Sequence, residues 1–175
     1  MVTLSNWLLV SGTGRNVGKT TLVCRIISQI SALNPVAVKI SSHFHTLPED
    51  SEWIIRKDDF SLIRETLIST KDSSKMLQAG AEECYYAQGP DYRLPEILSA
   101  LEKFTKNRPV VCETGGLRKL IVPGIYLIIK GEEFSKPEIG KLELLADKVL
   151  TPHDVRTGNF ESKLFFKNNS WLILQ

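Results

Sequence analysis

Short apolar runs of strand length alternate along this chain with longer segments whose apolar residues recur every three or four positions. WLLVS (7–11) is the first run, and it breaks into a glycine-bearing turn, GTGRNVG. KTTLVCRIISQISAL (19–33) then carries Leu22, Ile26 and Ile30 on one stripe and Val23, Ile27 and Leu33 beside it. That spacing predicts an amphipathic helix, ended by Asn34-Pro35. VAVKI (36–40) is a β-branched run, so the chain opens strand, turn, helix, strand, the start of a parallel α/β sheet.

The pattern from Ser41 to Thr70 is less regular. WIIRKDDFSLIRET reads as a hairpin with two β-rich arms around Lys57-Asp58-Asp59, with a helix starting near Asp58 as the competing reading. DSSKMLQAG (72–80) fits a short helix with Asp72 as N-cap and Gly80 as its stop. ECYYAQ (83–88) is a strand, with one of Tyr85 and Tyr86 expected in the core and the other at the surface. Leu94, Ile97, Leu98, Leu101 and Phe104 mark a second amphipathic helix. PVVCE (109–113) is a buried strand ending in a carboxylate and then Gly115-Gly116. IYLIIK (125–130) and DKVLT (147–151) are further strands, and KLFFKNNSWLIL closes as a hairpin turning at Asn168-Asn169. The expected fold is a three-layer α/β domain spanning 1–175 with a mostly parallel sheet and a C-terminal β-hairpin.

The strongest chemical signal is the junction Gly12-Thr13-Gly14-Arg15-Asn16-Val17-Gly18-Lys19-Thr20-Thr21. A strand precedes it and a helix follows, the context a phosphate-binding P-loop requires. Glycines let successive backbone N–H groups point inward as a nest for phosphate oxygens, and the helix dipole adds to that field. Lys19 would reach the β- and γ-phosphates, and the Thr20 hydroxyl would ligate Mg²⁺. The usual G-x-x-x-x-G-K-[ST] spacing puts glycine where this chain has Thr13, so the loop from Gly12 is one residue longer.

A second set of candidates follows from the fold, because ligands of open α/β sheets gather at the carboxyl ends of the strands. Glu113 ends its strand beside Gly115 and Gly116. It could hold Mg²⁺ directly or through water, orient an attacking group, or simply be a solvated strand-end carboxylate. Lys39 closes VAVK at the same edge and could meet an anion or be a surface lysine. His43 and His45 are two apart and would face one side of an extended segment, but no third metal ligand accompanies them. Asp72 is a helix cap or a second-site residue.

Composition narrows the picture. At 42% apolar and 24% charged residues, the 175-residue chain is neither disordered nor fibrous. Its net charge of +2 offers no polybasic field for nucleic acid or membrane, and the two adjacent tyrosines lack the basic stripe that base stacking would need. No apolar run reaches a bilayer span and no secretory signal is visible, so a cytoplasmic location is expected. Cys24, Cys84 and Cys112 lack C-x-x-C spacing and read as buried free thiols.

Several motifs together carry a resemblance. VAVKISSHFH is similar to the K-H-x-H-H stretch after the second strand of the molybdopterin-guanine dinucleotide biosynthesis adapter (MobB) family. Lys71-Asp72-Ser73-Ser74-Lys75-Met76-Leu77-Gln78-Ala79-Gly80-Ala81 resembles that family's G-K-D-S-x-R-x-x-x-A-G-A segment. The longer loop and Glu113-Thr114-Gly115-Gly116-Leu117 instead resemble dethiobiotin synthetase, whose corresponding segment is E-G-A-G-G; the adapter family tends to E-G-F-K. Ser41-Ser42 before His43 also departs from the adapter pattern. The resemblance implies a P-loop fold that binds GTP or ATP with Mg²⁺, and a homodimer. For the adapter it implies weak hydrolysis at most and assistance to a guanylyltransferase acting on molybdopterin. The other readings are an ATP-dependent ligase or small-molecule kinase, with Lys39 and Glu113 handling substrate and metal, and a phosphate-binding fold without catalysis. No N-K-x-D motif is present to read guanine.

Overall fold

The first strand, β1 (Val2–Gly12), lies inside the sheet and is flanked on both sides by parallel neighbours. The computed structural model describes residues 1–131 and 137–174. After β1 come α1 (Lys19–Gln29), β2 (Val36–Ser41), β3 (Glu52–Arg56), β4 (Ser61–Arg64) and α2 (Asp72–Gln78). These are followed by β5 (Glu83–Gln88), α3 (Leu94–Thr105), β6 (Val110–Glu113) and β7 (Ile121–Ile129). The chain then runs through α4 (Pro137–Glu143), β8 (Lys148–Leu150), α5 (Pro152–Thr157), β9 (Leu164–Lys167) and β10 (Ser170–Ile173). The main sheet has eight strands in the order β3-β4-β5-β2-β6-β1-β7-β8. From β5 to β8 every pairing is parallel, and the β3–β4 hairpin extends the β5 edge antiparallel. The expected α/β class, mostly parallel sheet and C-terminal hairpin are all present.

Both faces of the sheet are buried, which is why its strands read as apolar runs rather than alternating ones. Leu8, Val10, Ala37 and Val111 point to the layer of α1, where Leu22, Val23, Ile26 and Ile27 meet them. Trp7, Leu9, Val38 and Cys112 point to the layer of α3, against Leu94, Ile97 and Leu101. The β9–β10 hairpin closes the α1 side. Asn168 and Asn169 take positive φ values of 52° and 57°, as a tight two-residue hairpin turn requires. Trp171 is buried there, and its indole N–H donates to the Asn6 and Val110 carbonyls at 3.0 and 3.2 Å.

The hairpin expected around Lys57-Asp58-Asp59 is present, as the turn between β3 and β4. Four local expectations need correction. Asp72 is the first residue of α2 and Lys71 takes the N-cap position, because the Asp72 carboxylate is bonded to Lys39 instead of to its own helix. Tyr85 and Tyr86 are both buried, since α2 covers the face that Tyr86 takes and the β3–β4 hairpin moves the sheet edge beyond β5. Cys84 and Cys112 are buried free thiols as expected, whereas Cys24 on α1 is only half-buried. The first predicted helix also ends sooner, at Gln29, and a single 3₁₀ turn covers Ser31–Leu33 before Asn34. No helix among the described residues is long and apolar enough to cross a membrane.

Candidate functional site

The loop between β1 and α1 is held from below by its own middle. Val17 is buried, and a Cβ on Gly12 would come within 2.7 Å of its Cγ2, so the extra residue of this loop is accommodated by folding Val17 inward against a bare backbone. Gly18 has φ +100°, and a Cβ there would stand 3.0 Å from Val155 of α5. Thr13 ties the loop to the end of β7: its N–H donates to the Ile129 carbonyl at 3.1 Å, and its hydroxyl accepts from the Gly131 N–H at 2.9 Å. Lys19 starts α1 and its ammonium donates to the Gly14 carbonyl at 2.6 Å, placing the cation at the loop mouth.

The strand ends complete the site. Alternation puts Lys39 and Glu113 on the α1 side, after Ala37 and Val111. They are register partners across β2 and β6. Lys39 Nζ lies 2.8 Å from Glu113 Oε1 and 2.7 Å from Asp72 Oδ2. The other carboxylate oxygen, Glu113 Oε2, accepts from the Thr20 hydroxyl at 2.8 Å. Four residues far apart in the chain thus form one line, Thr20–Glu113–Lys39–Asp72. Glu113 is 6% exposed, so it is not a solvated strand end, and Lys39 is not a surface lysine.

Burial pulls the Lys19 ammonium below its ordinary value of 10.5, only partly opposed by Glu113. At Lys39 burial acts the same way, but the Glu113 and Asp72 contacts outweigh it and the net shift is upward. Burial works to raise the Asp72 carboxyl, and the Lys39 hydrogen bond more than reverses it, leaving Asp72 below 3.8. Burial, assisted by Glu113, pushes the Cys24 thiol up to about 11, which makes it a poor nucleophile.

Gly12, Arg15, Asn16, Gly18, Lys19, Thr20 and Thr21 line one cleft of about 880 Å³, together with Lys39, His43, Asp72, Glu113, Gly115 and Gly116. Of the remaining loop candidates, Thr13 is turned to β7, Val17 to the core, and Gly14 supplies the carbonyl to Lys19. His43 and His45 lie on the exposed loop after β2. Ser41 shapes its start by accepting from the His43 N–H at 3.0 Å, and Gln88 brackets the His45 backbone. No group of three metal-binding side chains occurs among the described residues.

The donor set nevertheless suits Mg²⁺ at a phosphate. That ion keeps several waters and takes one or two carboxylates plus phosphate oxygens, so a lone hydroxyl–carboxylate pair, Thr20 and Glu113, is an appropriate protein contribution. Sequence reading missed Asp91, Lys119 and Tyr126, which also line the cleft. It also missed α5, although Thr151-Pro152-His153-Asp154 carries a capping-box signature: Thr151 accepts from the Asp154 N–H at 3.1 Å and Asp154 accepts from the Thr151 N–H at 2.7 Å.

No protein-family model matches this chain, and no curated protein matches it either. A solved structure, that of LpxK from Aquifex aeolicus in complex with ATP, superposes with a TM-score of 0.51 at 12% sequence identity. The match covers 95% of this chain and 52% of that one, so the chain spans about half the length of the protein it resembles. The fold is that of the P-loop NTPases.

Proposed function

We propose that this chain binds a nucleoside triphosphate with Mg²⁺ at the Gly12–Thr21 loop and serves as an adapter of the molybdopterin-guanine dinucleotide type, with weak hydrolysis at most. The observation that carries the nucleotide reading is the 2.8 Å bond between Thr20, in the first turn after the loop, and the buried Glu113 carboxylate. Loop, helix start and acidic strand end converge as triphosphate binding needs. When bound, Mg²⁺ would neutralise phosphate charge and polarise the terminal phosphoryl group. Thr20 and Glu113 would hold it, the loop N–H groups and Lys19 would cradle the phosphates, and Lys39 would hold the Glu113 carboxylate in place.

The ATP bound by LpxK supports the triphosphate, and GTP stays open beside it because the sequence carries no N-K-x-D motif to decide the base. The adapter role rests on the K-D-S…A-G-A segment: its Asp72 reaches Lys39 at the site instead of capping a remote helix. That role would bring molybdopterin and a guanylyltransferase as partners, in a homodimer. One observation favours a second reading, an ATP-dependent ligase or small-molecule kinase: the cleft runs well past the phosphate loop to His43, Asp91 and Lys119, leaving room for an acceptor. Calorimetric titration with ATP and GTP, with and without Mg²⁺, tests the nucleotide claim. Turnover assays with and without molybdopterin and a guanylyltransferase separate adapter from enzyme, and nucleotide binding at neither base would end both readings.

A further inference from the structure

The cleft has a second lobe that the phosphate loop does not use. Alternation along β1 sends Ser11 to the face of Trp7 and Leu9, which α3 covers. Tyr126 and Ile128 of β7 project from the same face. Together with Leu94 at the start of α3 and Leu142 of α4, they line the cleft on the side away from α1.

Tyr126 is 1% exposed, yet its hydroxyl has no hydrogen-bond partner. A buried polar atom left in that condition is uncommon in folded proteins. Ser11, near enough to influence the phenol, donates its own proton to the Thr114 carbonyl at 2.5 Å. Burial keeps the phenol protonated, so it has a proton to donate. The rim is shaped to admit something. A Cβ on Gly116 would fall 2.9 Å from Asp91 Oδ1 and 3.1 Å from Leu94 Cδ1, so glycine lets this loop close on the start of α3. Beside it, a Cβ on Gly115 would meet nothing within 4 Å, so the backbone borders open space. The Lys119–Asp91 pair, at 2.9 Å, marks the polar edge.

We propose that this lobe binds a small organic molecule with an apolar body and an oxygen acceptor, carboxylate or carbonyl, that receives a hydrogen bond from the Tyr126 hydroxyl. Leu94, Ile128 and Leu142 match the apolar body, as in small-molecule pockets where a few polar groups fix orientation. The assignment deepens the nucleotide reading by giving the chemistry of a second ligand. It rests on that reading only for direction: the ligand's far end would reach past Gly115 toward Glu113 and Thr20.

The test uses protein carrying ¹³C-labelled tyrosine rings, with the Tyr126 resonance assigned by its loss in Tyr126→Phe. Hexanoate or hexanamide is expected to shift that resonance saturably, while hexylamine, which lacks an oxygen acceptor, is not. A response to hexanoate alone identifies a carboxylate ligand, and a response to hexanamide alone identifies a neutral carbonyl. In ligand-observed titrations, Tyr126→Phe should weaken binding about tenfold, the loss of one hydrogen bond. Gly115→Leu should block the mouth and abolish binding with an unchanged thermal midpoint. No saturable shift with either probe up to its solubility, or equal affinity in Tyr126→Phe, overturns the proposal. Nucleotide titrations on the same samples keep the two readings apart. A protein that binds hexanoate but no nucleotide keeps this pocket and loses the nucleotide site; one that binds nucleotide but neither probe does the reverse.

Discussion

Lys39 and Glu113 face each other in register across β2 and β6, and the ammonium closes on the carboxylate at 2.8 Å. Both side chains are largely withdrawn from water, at 17% and 8% exposure, so neither charge is tolerable without the other. Lys39→Met is therefore expected to destabilise the fold by about 3 kcal/mol, chiefly by stranding Glu113. Asp72 adds little to that figure, because its carboxylate is 39% exposed and can be rehydrated. Denaturant unfolding checks it, and Lys39→Met combined with Glu113→Gln should recover most of the loss. A double variant no more stable than Lys39→Met would show that the pair is not the source.

The pH dependence of this line of charges has a definite sign. Lys39 is raised above 10.5, so its contribution is complete below that value and fades only as pH rises through the higher folded value. Asp72 is lowered below 3.8, so its contribution is complete above 3.8 and fades as pH falls through the folded value. Between those limits the network should leave stability flat. Asp72→Asn should lower the thermal midpoint modestly at neutral pH and make the loss below about pH 4 shallower than in the wild type. An Asp72→Asn acid limb parallel to the wild type's would contradict the Lys39–Asp72 bond.

Lys19 behaves oppositely. Its ammonium is held below 10.5 by burial, so the charged form carries a folding cost at all pH values below the folded one. Lys19→Ala should therefore abolish triphosphate binding without lowering the thermal midpoint at neutral pH. Each charge-assisted hydrogen bond it makes to phosphate is worth about 1.5–3 kcal/mol. Calorimetry of binding and of unfolding measures both halves, and unchanged affinity would remove the phosphate-loop assignment.

Thr20→Ala and Glu113→Gln should weaken Mg²⁺-dependent nucleotide binding more than binding in excess chelator. Thr20 and Glu113 share a 2.8 Å hydrogen bond at the point where an ion and phosphate would meet. Titrations with and without Mg²⁺ resolve the point. Equal losses in both conditions would mean that the pair shapes the loop and touches no metal.

What could be read from residues alone, and what could not, divides along physical lines. The loop, the strand ends Lys39 and Glu113, and the two long helices were legible because each is a local pattern: glycine spacing, β-branched runs, a 3.6 period. Asp72 was misplaced as a cap because the local rule for an acidic helix start gave way to a partner 33 residues distant, Lys39. The expectation that one of Tyr85 and Tyr86 would lie at the surface failed for a related reason. Whether the second face of a strand is buried depends on which elements later cover it, here α2 and the β3–β4 hairpin. Tyr126 could not have been singled out, because its unpartnered hydroxyl exists only once Ser11 has turned to Thr114. The capping box at Thr151 was local and readable, and α5 was missed because six residues leave too short a stripe for periodicity to show.

Purified alone, the protein should bind nucleotide and turn it over slowly. Phosphoryl transfer requires a positioned nucleophile, metal ligands and a cation that neutralises charge in the transition state, the last worth on the order of 10³–10⁵ in rate. Among the described residues lining the cleft the only guanidinium is that of Arg15, and Arg15 is exposed at the tip of the loop. Lys39 is nearby but already engaged by two carboxylates at 2.7 and 2.8 Å, so most of its charge is neutralised before any phosphate arrives. Among the described residues, Lys75 and Lys119 also line the cleft but are paired with Asp72 and Asp91, and Lys19 is the cation at the loop mouth. A site with that inventory binds phosphate better than it transfers it, unless a partner or second subunit supplies the missing charge. Phosphate-release and product assays on the isolated protein check this with ATP and GTP. Turnover of about 1 per second or faster, the range of working kinases, on any small carboxylate or alcohol would favour the ligase or kinase reading. Acceleration on adding a guanylyltransferase, with slow turnover before it, would favour the adapter.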